Sequence, residues 1–537
     1  MIVNPILPGF NPDPSICRVG DDYYIATSTF EWYPGVQIHH SRDLCNWQLV
    51  NRPLNRVSQL DMRGNPDSCG IWAPCLSYAD GLFWLVYTDV KRLDGNFKDT
   101  HNYIVTAPVI SGPWSDPIYI NSSGFDPSLF HDDGGRKWFL NMLWNHRSDS
   151  VGGSPKHPAF AGILLQEFDA SLGKLIGEVS NISQGSPHGL VEGPHLFKRN
   201  GYYYLTVAEG GTGYEHAVTM LRSSSVEGPY ELHPNMFLMT SKDAPEAVLQ
   251  RSGHGQMVET PGGQVYHTHL CSRPLGGSRR SPLGRETGLQ KCVWREDDWL
   301  YLEEGGLVPS INVVSPDGKS VPQGPQPVLC RFDSEDLPKD FQWLRSPCPE
   351  RLFTATTSGL VLHVRESIGS WFEQSLVARR QEHLVFRAET QLEFQPHNIQ
   401  QNAGLVHYYN RTKFHFIGIT WHETRGRILT ILSCPGDWPE GQLEFPLQSS
   451  VDLPQAGPVQ LAAEIEFEKL QFFYRLSKSD DWLPAGPVLD ASVISDEGGR
   501  GEHASFTGAF IGMVAFDTSG EGLPATYAHF DYLPGEC

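Results

Sequence analysis

Asp13, Asp126 and Glu192 each stand at the head of a short apolar strand, with a proline one or two residues on: Asp13-Pro14-Ser15-Ile16, Asp126-Pro127-Ser128-Leu129 and Glu192-Gly193-Pro194-His195-Leu196. Asp-Pro and Glu-Gly-Pro are ordinary turn sequences, and any one of them alone reads as a turn. Three in register with an internal repeat read as a site. Carboxyl groups that converge on one cavity can divide acid and base work. One stays ionised and activates a water, while the other is protonated at neutral pH and supplies a leaving group's proton. Hydrolysis of a glycosidic bond with inversion needs such a pair roughly 6.5–9.5 Å apart, with room for that water. Asp13, stiffened by Pro12 and Pro14, is assigned as the base, and Glu192 as the acid. Asp126 is expected beside Glu192 on a ring, where its charge raises the acid's pKa. It is a modulating and orienting group rather than a third catalyst.

The elements that position these groups are five copies of one phrase: a leading residue, an apolar strand, a turn and an aromatic-rich return strand. The second copy is Trp72-Ala73-Pro74-Cys75-Leu76 and the fifth is His254-Gly255-Gln256-Met257; return strands include Asp22-Tyr23-Tyr24-Ile25 and Gly201-Tyr202-Tyr203-Tyr204-Leu205. The residues that follow the leading position (14, 74, 127, 194 and 255) are spaced by 60, 53, 67 and 61 residues. That period suits a four-stranded propeller blade with loop insertions. Blades one and four of five place Asp13 and Glu192 across the pore from one another. Glu192 stands two residues before its proline while Asp13 and Asp126 stand one before theirs, a shift that aims the acid differently. Between about 305 and 328 the sequence turns Pro-, Gly- and Ser-rich, as linkers do. Beyond it, runs such as Gly359-Leu360-Val361-Leu362 and Ile428-Leu429-Thr430-Ile431 continue as strands without the repeat. The chain is read as all-β: a five-bladed β-propeller at 1–308, a linker at 309–327 and a β-sandwich at 328–537.

The 537 residues exceed one core. A net charge of −21 argues against nucleic acid or an anionic membrane as partner and fits a neutral substrate such as a sugar. No apolar run approaches the roughly 20 residues of a membrane span, and the first ten residues lack the basic and apolar regions of a signal peptide. Ten irregularly spaced cysteines with no CxxC pair fit reduced thiols and a cytoplasmic location. The sequons at Asn121, Asn181 and Asn410 then carry no weight. GxxxxGK[ST], HExxH and GxSxG motifs are absent.

Asn11-Pro12-Asp13-Pro14-Ser15, Thr27-Ser28-Thr29-Phe30-Glu31, Gly70-Ile71-Trp72-Ala73-Pro74, Gly124-Phe125-Asp126, Glu192-Gly193-Pro194-His195-Leu196 and Pro282-Leu283-Gly284-Arg285-Glu286-Thr287 closely resemble glycoside hydrolase family 43. The likeness is to its two-domain β-xylosidases and reaches Phe506-Thr507-Gly508-Ala509-Phe510. It implies a five-bladed propeller, inverting hydrolysis, and a catalytic trio that falls on Asp13, Asp126 and Glu192. The implied activity is release of xylose from the non-reducing end of β-1,4-xylo-oligosaccharides, with a side activity on α-L-arabinofuranosides. The alternative is an arabinofuranosidase or arabinanase of the same family. A retaining fructosidase, with its carboxyls about 5–5.5 Å apart, lacks its Arg-Asp-Pro phrase here, and the one Glu-Cys pair is Glu536-Cys537.

Five further residues are assigned to the substrate pocket. Arg285 can hold sugar hydroxyls through its planar fork and keep Asp13 ionised. Phe30 and Trp72 offer apolar faces on which a sugar ring stacks. The resemblance places His254 at the propeller axis, touching substrate or carboxylate, and in some members a residue there binds a divalent cation such as calcium; no cofactor is required. It also implies that the second domain pushes Phe506 toward the pocket and closes it, and that the protein is a dimer or tetramer. The Gly/Pro-rich stretch from Ser150 to Pro158 is expected at the pocket rim. Cys69 and Cys75 flank Trp72 with no functional account.

Overall fold

The structure is a computed structural model that describes all residues except 94–96, 148–156, 437–441, 448–449, 500–504 and 536–537. Blade one consists of Ser15–Val19, Asp22–Thr27, Gln37–Ser41 and Gln48–Asn51. Blade two runs Gly70–Ala79, Leu82–Arg92, Asp99–Ala107 and Ile118–Asn121; blade three Ser128–His131, Lys137–Trp144, Phe160–Asp169 and Lys174–Ser183. Blade four runs Glu192–Arg199, Tyr202–Glu209, Ala217–Ser223 and Glu231–Thr240. Blade five has Gln250–Gly253 and Met257–Glu259 side by side on Val265–Ser272, then Glu286–Trp294 and Leu300–Leu302. All pairings within the blades are antiparallel, so tight turns suffice to join neighbours.

The N-terminal segment fastens blade one to blade five. Asn4 Nδ2 donates to Leu289 O at 2.9 Å, Asn11 N to Arg285 O at 3.0 Å, and Thr287 Oγ1 to Asn11 O at 2.6 Å. Ile2–Val3 pairs with Asn312–Val313. The stretch read as a linker therefore takes part in the propeller's own hydrogen bonding, through Ser310, Ile311, Asn312, Val313 and Val314 among others, before Val328–Cys330 pairs with Ala525–Pro534 in the second domain.

That second domain is a sandwich of two eight-stranded sheets. In one, Val385–Glu393 alternates half-buried and buried positions and ends on the exposed Glu393, the pattern of a strand with one partly solvated face. In the other, Gln401–Asn410 is buried at every position and Lys413–His422 at all but the last two, because the propeller covers its far face. Trp32–Tyr33 of blade one joins this sheet as an edge strand against Phe341–Leu344. The Trp32 indole stacks on Phe510 at 3.7 Å and 11°. One apolar cluster thus runs unbroken from Phe10, Phe30 and Trp72 into Tyr408, Phe416 and Phe510. The two domains share a core. Among the described residues no helix is long and apolar enough to cross a membrane.

Candidate active site

The five leading positions share a backbone conformation. Asp13 (φ 56°), Ala73 (35°), Asp126 (54°), Gly193 (58°) and His254 (36°) all lie in the left-handed region, which residues other than glycine rarely enter and which costs about 1–3 kcal/mol each. At that residue the strand breaks register, as between Trp72 and Cys75 and between Glu192 and His195. Asp13, Asp126 and His254 are carried into one cavity by this kink. In blade four the kinked position is Gly193, and the carboxylate comes from the residue before it. A Cβ at Gly193 would meet the His254 ring at 2.8 Å. The close approach there is to a neighbouring histidine, which explains both the glycine and the displaced carboxyl.

The cavity has a volume of about 570 Å³ and is lined by all eight residues assigned from the sequence: Asp13, Phe30, Trp72, Asp126, Glu192, His254, Arg285 and Phe506. Their electrostatics divide sharply. Burial pushes the Asp13 carboxyl up, yet Arg285, His254 and Ser28 together overrule it and hold the group well below the usual carboxylate range. Arg285 Nη1 donates to Asp13 Oδ1 at 2.9 Å and Ser28 Oγ to Oδ2 at 2.6 Å, while His254 Nδ1 lies 3.5 Å from Oδ1. Glu192 is buried too, but among the described residues no cation pairs with it directly; His254 and Arg285 act on it only from farther away. Burial first, and the charge of Asp126 second, raise its pKa. Asp126 is raised as well, again chiefly by burial, although Gly193 N donates to its Oδ2 at 3.1 Å. His254 is raised: hydrogen bonding to Asp13 and the three surrounding carboxylates outweigh its burial.

Aromatic rings form the walls. Trp72 meets Phe30 at 5.7 Å, Phe125 at 5.3 Å and Phe506 at 5.9 Å between centroids. Phe125 leads on to Trp144 at 5.9 Å, and Trp144 to Phe160 at 5.2 Å. Phe506 enters from the sandwich domain, where Arg285 Nη2 donates to its carbonyl at 2.9 Å.

Sequence reasoning missed Lys98, Trp144, Thr212 and His216, all of which line the cavity. Lys98 Nζ sits 4.0 Å from the Trp144 ring centroid and 5.4 Å from that of Phe125, and burial lowers its pKa. Nothing near Lys98 in sequence marks it. Thr212 lies within, and His216 just after, the run Gly210-Gly211-Thr212-Gly213 that follows a blade-four strand, a glycine-rich signal that could have drawn attention. Of the expected rim loop, residues 150–156 lie outside the described residues, and His157 lines the cavity. Cys69 packs in the aromatic cluster and Cys75 between blades two and three; burial raises the Cys75 thiol, which makes it an inert packing group.

A divalent cation at His254 would find one imidazole. Among the described residues no three His, Cys, Asp or Glu side chains are grouped to hold a metal, and calcium takes six to eight oxygen ligands. The residues present do not by themselves make a cation site, and no step below passes through one.

Residues 2–300 match the family described as Glycosyl hydrolases family 43, and residues 330–533 the Beta xylosidase C-terminal Concanavalin A-like domain. The chain is 58% identical over 533 residues to the Xylosidase/arabinosidase 43B of Humicola insolens, covering 99% of this chain and 97% of that protein. It is 47% identical to the Beta-xylosidase of Bacillus subtilis (strain 168), with 99% of each covered. Among solved structures it is similar to a xylan beta-1,4-xylosidase from Bacillus Halodurans C-125, with a TM-score of 0.94, 50% identity and coverage of 99% and 100%. With the family model matched over more than half its length and relatives this similar along the whole of it, the chain belongs to glycosyl hydrolase family 43.

Proposed function

We propose that this enzyme hydrolyses β-1,4-xylo-oligosaccharides from the non-reducing end with inversion, releasing xylose. The observation that carries the reading is the opposed state of two buried carboxyls in one cavity. Asp13 is held ionised by Arg285, and Glu192 is held protonated by burial and Asp126. In the reaction Asp13 takes a proton from water as that oxygen attacks the anomeric carbon. Glu192 gives its proton to the glycosidic oxygen as the bond to the leaving sugar breaks. Proton exchange with solvent then returns both groups to their starting states. Asp126 keeps Glu192 protonated, and its acceptance of the Gly193 N–H orients the backbone that carries the acid. Phe30, Trp72 and Phe506 supply apolar faces for the sugar ring. The sandwich domain's contribution of Phe506 supports a pocket closed at one end, and with it exo-action.

Proton NMR of the first-formed sugar tests this. α-Xylose must appear before mutarotation, and β-xylose appearing first rules out inversion of a β-linkage. Activity on α-L-arabinofuranosides is a second reading, supported by the paired activities in the name of the Humicola insolens relative. A cytoplasmic location and a homo-oligomeric state belong to the same proposal. The first is supported by the lack of any disulfide among the described cysteines, as a reducing compartment maintains.

A further inference from the structure

The closing wall of the pocket comes from two domains, and one serine joins them. Ser68 lies just before blade two and is 1% exposed. Each of its polar groups is engaged. Its N–H donates to Glu31 Oε2 at 3.2 Å, its carbonyl accepts from Trp72 Nε1 at 3.0 Å, and its Oγ accepts from the Phe506 N–H at 3.1 Å. Its φ is 62°, a left-handed conformation that serine seldom adopts and that persists only when the surroundings fix it. They do. Arg345 of the sandwich donates from Nε to Asn65 O at 2.7 Å, from Nη2 to Asp67 Oδ1 at 2.7 Å, and from its backbone N to Glu31 O at 2.9 Å. The segment 65–68 is thereby clamped on both sides of the turn.

On the other side of Phe506, its carbonyl accepts from Arg285 Nη2, and Nη1 of the same guanidinium holds Asp13. The Phe506 peptide is therefore strung between Ser68 and the arginine of the base. We propose that Ser68 is a positioning residue that ties the Trp72 indole and the Phe506 ring into one wall and so sets how tightly the pocket grips the sugar unit. The proposal rests on the reading that this cavity holds a sugar. Ser68 donates to Glu31 but bonds to none of Asp13, Asp126 and Glu192, so it acts on binding rather than on proton transfer.

The test is kinetics of S68A, S68G, F506A and S68A/F506A on an aryl β-xyloside and an aryl α-arabinofuranoside, with thermal midpoints. Alanine and glycine both remove the acceptor, but only glycine relieves the left-handed φ. Both variants are expected to raise KM by about ten-fold, the lower part of the range for a stranded buried donor. They should leave kcat within about two-fold and the pH limits unmoved, while the S68G midpoint stands at or above that of S68A. In the F506A background the Phe506 N–H remains but the ring whose place it sets is gone, so S68A should add less than about two-fold. Three results overturn the proposal: unchanged KM in both variants, KM losses that follow the thermal midpoints instead of the shared missing acceptor, or full additivity in the double variant. A wild type that cleaves neither glycoside sinks the functional reading, and this proposal with it. That outcome is separate from any ratio between variants.

Discussion

Arg285→Gln isolates the interaction on which the division between the carboxyls depends. The guanidinium nitrogen lies 2.9 Å from Asp13 Oδ1, and both side chains are buried. At an effective dielectric of about 20 the pair is worth about 6 kcal/mol at this distance, equivalent to about four pK units. That is a ceiling, because Ser28 and His254 keep their places beside Asp13, and a single arginine characteristically lowers a neighbouring carboxyl by about one to three units. With the charge gone, burial dominates and the pKa of Asp13 rises. The base is then protonated over a wider acidic range, so the acid limb of kcat/KM moves to higher pH by about one to three units. The assay is the pH dependence of kcat/KM on an aryl xyloside for wild type, Arg285→Gln and Arg285→Lys. Lysine retains the charge and should hold the limb near its original place, yet raise KM because the fork that also reaches the Phe506 carbonyl is lost. A loss in Arg285→Gln that is equal at every pH, with the acid limb unmoved, refutes the argument that Arg285 keeps the base ionised.

Asp126→Asn removes the anion that raises Glu192 while leaving an oxygen for the Gly193 N–H. The pKa of Glu192 falls, so the alkaline limb of kcat/KM moves to lower pH by about one unit, read in the same profile; an alkaline limb that stays put contradicts the modulating role. Glu192→Gln should depress turnover of xylobiose by far more than that of an aryl xyloside with a good leaving group, and equal losses would remove Glu192 as the acid. Arg345→Ala removes the buried cation that faces the Glu31 carboxyl at the domain junction and leaves the half-buried Asp67 with Arg411 alone. It should destabilise the protein by about 3–5 kcal/mol, seen as a lowered urea midpoint.

The repeat, the trio and the two-domain architecture were legible because each is written locally, as a strand head, a turn and an aromatic return that recur at intervals near sixty residues. Asp13 and Asp126 could be picked out because a carboxylate beside a proline marks a strand head wherever it stands. Lys98 could not. It functions where it is because Trp72, Phe125 and Trp144 from two blades surround it, and no residue near it in sequence records that enclosure. Arg345 is a similar case: a lone arginine in an apolar stretch becomes a clamp only when the loop at Asn65 and Asp67 is folded beneath it. The every-residue burial of Gln401–Asn410 likewise hid the period-two alternation, since both faces of that strand are covered.

The register slip at Glu192 shows how local and tertiary information combine. From sequence, the acid in blade four simply stood one residue early. The structure shows that the left-handed position there is occupied after all, by Gly193, and that a side chain at that point would strike the His254 ring. His254 is itself the leading residue of the next blade and lies 3.5 Å from the Asp13 carboxylate. Its place against the base therefore excludes a side chain from blade four's leading position. The acid had to come from a neighbouring residue, where it lacks the cation contact that holds Asp13 ionised. One steric exclusion between adjacent blades thus separates the proposed acid from the proposed base on a ring whose five leading positions share one backbone conformation.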